Sequence, residues 1–225
     1  MRTFGIAVFA TCIALSLLAR AGAAPHYYYL HPNDVDLTVL LPPPPDPDSV
    51  QEQADDKKVA NVVANRTPIE LADAMDESKR NVFFFAPSVG AGFAPEHLPL
   101  TTAFFKRIGS DVESFVGTAK SYWNRPRPPS VSEKHGSYPS GHAAFAASTA
   151  IVLAEMLPEK RNQIFLQARL FAENRIILGV HYPTDIAAGW TTGTLAVSTM
   201  MRDKTYLRDY KEARTELRKA LGLPA

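Results

Sequence analysis

The chain has 225 residues, 46% of them hydrophobic, with 24 Lys and Arg against 23 Asp and Glu and a net charge of +1. That apolar content is enough for one or two packed domains, and so even a charge balance gives no reason to expect a nucleic-acid partner. The only cysteine, Cys12, excludes a disulfide framework.

Arg2, an apolar run from Phe4 to Ala19 and an Ala21-Gly22-Ala23 site have the layout of a secretory signal peptide cleaved after Ala23. The run of 16 residues is short for a membrane span. Loss of residues 1–23 removes Arg2, Cys12 and Arg20 and takes the net charge from +1 to −1. The expected product is periplasmic or secreted, with no stable membrane insertion. Residues 24–48 read as a Tyr- and Pro-rich extended arm, with Leu40-Leu41 before four prolines, Pro42 to Pro45. Such an arm either docks on a partner surface or serves as a disordered linker. Residues 49–225 read as one helical domain.

Helical patterning runs from Ser49 to about Arg66, marked by Val59, Val62 and Val63. Thr67-Pro68-Ile69-Glu70 is a capping box with proline at the first helical position, which starts a second helix ending near Lys79. Residues 81–95 are loop-like around Phe83, Phe84 and Phe85, which read as core. A long helix follows from about Glu96 to Tyr122, with Leu100, Phe104, Ile108, Val112, Phe115 and Ala119 at helical spacing. The prolines at 126, 128 and 129 stop it. Further helices are expected at 141–157, at 158–178 (ended by Gly179), at 183–201 and at 206–221. No strand alternation is present. The fold class is all-α: a single-domain helical bundle around central apolar helices, with its active site at helix termini.

The chemistry-bearing residues lie at three helix boundaries. Lys120 closes the long helix, and Arg127 follows in the proline-fixed segment. Ser140, Gly141 and His142 open the apolar helix, whose free N–H groups and positive dipole end suit an anion. Arg175, His181 and Asp185 span the third boundary. Taken singly, a Lys or Arg at a helix end is ordinarily a solvated dipole partner, and a His and an Asp four apart suit half of a metal site. Together, three fixed cations and a helix start bind a tetrahedral oxyanion and repel a divalent metal. Arg127 and Arg175 offer planar forks and Lys120 a point charge. Two histidines supply a nucleophile and a proton donor, and Asp185 can hold the ring N–H of His181.

Lys120-x6-Arg127-Pro128, Pro139-Ser140-Gly141-His142 and Arg175-x5-His181-x3-Asp185 resemble the three-part signature of the phosphatidic acid phosphatase type 2 superfamily. Gly136-Ser137-Tyr138-Pro139-Ser140-Gly141-His142, and Leu40 to Pro45 behind a secretory leader, are similar to the bacterial class A non-specific acid phosphatases. The resemblance implies hydrolysis of small phosphate monoesters through a phosphohistidine, with no metal and no cofactor. It makes His181 the nucleophile, oriented by Asp185, and His142 the general acid. Lys120, Arg127, Ser140, Gly141 and Arg175 become the phosphate cradle. Self-association into a homo-oligomer stays open.

Two features depart from the family pattern: Asn174 stands where a serine usually precedes the third-motif arginine, and only ten residues separate Pro128 from Pro139. The short loop should alter the pocket rim rather than the chemistry. The rival readings are a lipid phosphatase of the same superfamily, a vanadium-dependent haloperoxidase and a phosphate-binding protein without turnover. The first would need several long apolar runs. The last would need neither a nucleophile nor a proton donor.

Overall fold

The computed structural model describes residues 27–77, 79–129, 131 and 135–224; the leader read over residues 1–23 lies outside them. Among the described residues there are nine α-helices and no strand: α1 (Leu37–Leu40), α2 (Val50–Asn65), α3 (Pro68–Asp76), α4 (Ala86–Val89), α5 (Pro99–Trp123), α6 (Gly141–Met156), α7 (Arg161–Ile177), α8 (Pro183–Met200) and α9 (Lys204–Ala220). The protein is all-α, and none of these helices is long and apolar enough to cross a membrane.

Local chemistry sets most of the helix ends. Ser49 caps α2 by accepting the Glu52 N–H at 3.1 Å. Thr67 and Glu70 exchange side-chain-to-backbone hydrogen bonds of 3.2 and 2.7 Å at the start of α3. That helix stops at Asp76, three residues before the expected Lys79. α5 begins at Pro99 rather than near Glu96, because Pro95–His97 form a separate 3₁₀ turn and Leu98 leaves helical geometry. The first N–H groups of α5 find their acceptor on another helix. Leu100 and Thr101 donate to the Glu216 carboxylate of α9 at 3.0 and 2.7 Å. At its other end α5 stops at Asn124, in left-handed conformation with φ 44°. The segment 81–95, read as loop, holds a 3₁₀ turn and α4, with Phe85 buried and Phe83 and Phe84 packed on the core.

α6 is the hub. Its alanines are buried all round, and it packs against α5, α7 and α8. α8 approaches it through two glycines. A Cβ on Gly189 would meet the Ala143 Cβ at 2.7 Å, and one on Gly193 would meet the Ala147 Cβ at 2.8 Å. Both glycines are therefore required by interhelical distance rather than by backbone dihedral. Gly193→Ala should cost about 1–3 kcal/mol through overpacking, despite its better helix propensity. A thermal melt is expected to show Tm lowered by roughly 2–4 °C per kcal/mol. An unchanged or raised Tm would mean the helices can move apart without cost.

The described part of the arm, 27–48, packs on its own chain. The buried carboxylate of Asp111 on α5 accepts the backbone N–H groups of Tyr28, Tyr29 and Leu30 at 2.9, 2.7 and 3.1 Å. Tyr29 donates to Asp209 on α9 at 2.7 Å, and Leu37 and Leu41 are buried. Tyr138 donates to the Pro42 carbonyl at 2.6 Å, tying the polyproline stretch to the loop before α6.

Candidate active site

Hydrogen bonds gather the C-terminal end of α5 and the N-terminal ends of α6 and α8 into one place. Lys120 Nζ donates to the carbonyls of Gly136 and Ser137 at 2.6 and 2.8 Å, fixing the loop that leads into α6. The Ser140 N–H donates to the Asp185 carbonyl at 2.9 Å, joining the cap residue of α6 to the first turn of α8 directly. Arg127 reaches the segment before α8, its Nη1 donating to the Val180 carbonyl at 2.8 Å. Its Nε donates to the His135 carbonyl at 3.2 Å.

A cleft of about 420 Å³ opens there, and Lys120, Arg127, Gly141, His142 and His181 line it. His181 Nδ1 lies 3.1 Å from Asp185 Oδ2, and its Nε2 lies 3.3 Å from Arg127 Nη1. Burial raises the proton affinity of the Asp185 carboxyl, but His181, Arg125 and the Tyr182 N–H outweigh it and leave its pKa below the usual carboxylate range. An ionised carboxylate only accepts, so the proton of a neutral His181 sits on Nδ1 and Nε2 presents its lone pair beside the Arg127 fork. Burial pulls the His181 pKa down to about 4; Asp185 opposes the shift, and Lys120 and Arg127 add to it.

The other predicted residues sit behind the cleft. Ser140 is fully buried and its Oγ accepts the Ala143 N–H at 3.3 Å, so the hydroxyl caps α6. Asp185 is likewise buried, and of the cleft residues it contacts the ring of His181. Arg175, only 2% exposed, does not line the cleft. Its Nη2 donates to the Ala74 carbonyl at the end of α3 at 2.8 Å, and its buried Nε has no hydrogen-bond partner among the described residues. Burial draws its pKa down to about 10, against the opposing charge of Glu77. Asn174 donates to the Glu77 carboxylate at 2.6 Å, so it faces α3. The loop between Pro128 and Pro139 is described only in part.

Three residues of the site carry no signal in the sequence reading. Arg80 and Glu113 form an ion pair on the cleft wall, and a Cβ on Gly141 would meet Arg80 Nη1 at 3.3 Å. Arg125 is the third. Its side chain is 4% exposed, and its Nη1 donates to Asp185 Oδ1 and to Thr184 Oγ1, both at 2.7 Å. Its Nη2 donates to Asp55 at 2.9 Å and Glu52 at 2.5 Å, both on α2, and its guanidinium lies 4.1 Å from the centre of the Tyr182 ring. Spacing gives no cue to this: residues two apart in an extended segment ordinarily share a side, yet Arg127 faces the cleft and Arg125 the carboxylates behind it.

Residues 103–209 match the family model of the PAP2 superfamily. The chain is 32% identical over 149 residues to an acid phosphatase of Zymomonas mobilis, a match covering 60% of this chain and 56% of that protein. It is 28% identical over 163 residues to the non-specific acid phosphatase of Salmonella typhimurium, covering 66% of this chain and 65% of the other. These two matches span less than two thirds of the relatives' own lengths. With the non-specific acid phosphatase of Providencia stuartii the identity is 28% over 217 residues, 87% of this chain and 86% of that one.

Proposed function

We propose that this chain, whose residues 103–209 form a PAP2 superfamily domain, is an exported acid phosphatase that hydrolyses small phosphate monoesters. The reaction runs through a phosphohistidine and uses no metal. The observation that carries this reading is the pairing around His181: a neutral imidazole whose Nδ1 proton is held by Asp185 and whose Nε2 lone pair meets the Arg127 fork. A structural histidine needs no cation at its free nitrogen. A nucleophile for phosphorus does, because the phosphoryl oxygens must be gripped where the nitrogen attacks.

The steps balance with the chain's own groups. His181 Nε2 forms a bond to phosphorus as the ester P–O bond breaks, and His142 gives its proton to the departing alkoxide. A water then attacks the phosphohistidine, returning a proton to His142, and phosphate leaves with His181 neutral again. Lys120, Arg127 and the N–H groups at the start of α6 hold the phosphoryl oxygens. Arg175 supports the anion from behind: a buried guanidinium with an unsatisfied Nε is stabilised by incoming negative charge. Ser140 adds the cap that fixes the start of α6. Export after Ala23 rests on the leader, and the names of the relatives support the substrate class.

The test is phosphate release from an aryl phosphate at acid pH with chelator present. Activity is expected to persist with chelator and to be inhibited competitively by vanadate, which adopts the five-coordinate geometry of the transferring phosphoryl group. The acid limb of the rate profile should lie near pH 4, because His181 attacks only when neutral and gains its proton as pH falls through about 4. Activity that chelator abolishes and zinc or magnesium restores would overturn the metal-free reading. An acid limb near 6.5, the ordinary imidazole value, would overturn the lowered proton affinity of His181.

A further inference from the structure

A second hollow of about 810 Å³ adjoins the catalytic cleft. Arg80, Glu113 and His142 line both, so His142 stands at the boundary between them. The floor of the hollow is aromatic. Phe105 and Phe145 are 3% and 5% exposed, and Phe83 is half-buried with its ring 5.0 Å from that of Phe93. The rim is basic. Lys79 and Lys106 are exposed there, while Arg80 is neutralised by Glu113, the one carboxylate that lines the hollow among the described residues.

The geometry of displacement decides what such a space holds. Attacking and leaving groups lie roughly in line through phosphorus, so the leaving oxygen faces away from His181 and toward the group that protonates it. With His142 as that group, the organic part of the ester extends past His142, into whatever adjoins it. Building on the phosphatase reading above, we infer that this hollow is the leaving-group subsite. It selects monoesters whose alcohol is a flat aromatic ring carrying a second negative charge. The phenylalanines offer faces and edges to a ring, and Lys79 and Lys106 attract an anion that the ion-paired Arg80 does not.

The experiment compares phenyl phosphate with 4-carboxyphenyl phosphate, using the full chain and two variants, Lys106→Glu and Phe83→Leu. The wild-type enzyme is expected to have the higher kcat/KM for the carboxyphenyl ester. Lys106→Glu should lower the ratio of the two kcat/KM values by roughly fivefold, the scale of one exposed ion pair turned repulsive. Phe83→Leu should raise KM for both aryl esters relative to methyl phosphate, which leaves the hollow empty. A selectivity ratio unmoved by Lys106→Glu would overturn the anionic preference. Equal effects of Phe83→Leu on aryl and methyl esters would overturn the subsite. Failure of the wild-type chain to release phosphate from any of these esters would overturn the phosphatase reading instead.

Discussion

His181→Ala should abolish turnover of every phosphate monoester, because without Nε2 no covalent intermediate can form. His142→Ala should behave differently, and the difference identifies the roles. An alkyl leaving group needs a proton as it departs, so the loss with methyl phosphate should be severe, roughly 10²-fold or more for one missing acid. A nitrophenolate leaves readily as an anion, so phosphorylation of His181 should be partly spared with nitrophenyl phosphate. Hydrolysis of the phosphohistidine still lacks its base. Rapid mixing should therefore reveal a burst of nitrophenol that matches the enzyme concentration, followed by a slow steady state. Equal losses for both variants on both substrates, without a burst, would mean the roles are wrongly assigned.

Arg125→Met should have the next largest effect, although Arg125 does not line the cleft. Removing its guanidinium leaves Asp185 and Asp55 buried without a counter-charge and frees Glu52 beside them. Breaking one side of a buried ion network costs about 3–5 kcal/mol. For a chain of this size that is a fall in Tm of roughly 10 °C. It should also act on the chemistry. Arg125 is one of the groups holding the Asp185 pKa down, so its loss raises that pKa. The carboxylate would then be lost as pH falls through the raised value, and with it the group that fixes the Nδ1 proton of His181. Activity should consequently fall more at pH 5 than at pH 7 relative to wild type. Arg125→Lys restores the charge without the two-sided fork, and should recover stability better than activity. A variant that is less stable but keeps the wild-type pH profile would reduce Arg125 to a strut.

These two predictions also mark where sequence reading succeeds and where it stops. The caps at Ser49 and Thr67, the proline stop after Trp123 and the apolar hub at 141–156 rest on contacts within a few residues, which spacing encodes. The contact from Asp185 to His181 spans only four residues, legible for the same reason. Arg125 carries no local mark because its partners, Glu52 and Asp55, lie about 70 residues away on α2. Arg80 likewise meets groups far along the chain, Glu113 at a separation of 33 residues and Gly141 further still. The orientation of Arg175 is a third instance. Its place near the end of α7 was readable, but its contact with the Ala74 carbonyl depends on where α3 packs. The 3₁₀ turn before α5 escaped for a different reason: Pro95 and Pro99 each suit a helix start, and only Leu98 decides between them.

The hydrogen bond from the Ser140 N–H to the Asp185 carbonyl has a consequence for how such a site can diverge. It joins two main-chain groups, so apart from proline at 140, which would remove the N–H, no substitution deletes either partner. Together with the contacts of Gly189 and Gly193 on α6, it lets the two imidazoles inherit their separation from the backbone. Most of the residues that line the hollow beside His142 come from elsewhere, from the segment after α3 and from α5, with Phe145 of α6 among them. Selection can rework that border one residue at a time, exchanging one clientele for another, while the spacing between His181 and His142 is passed on intact.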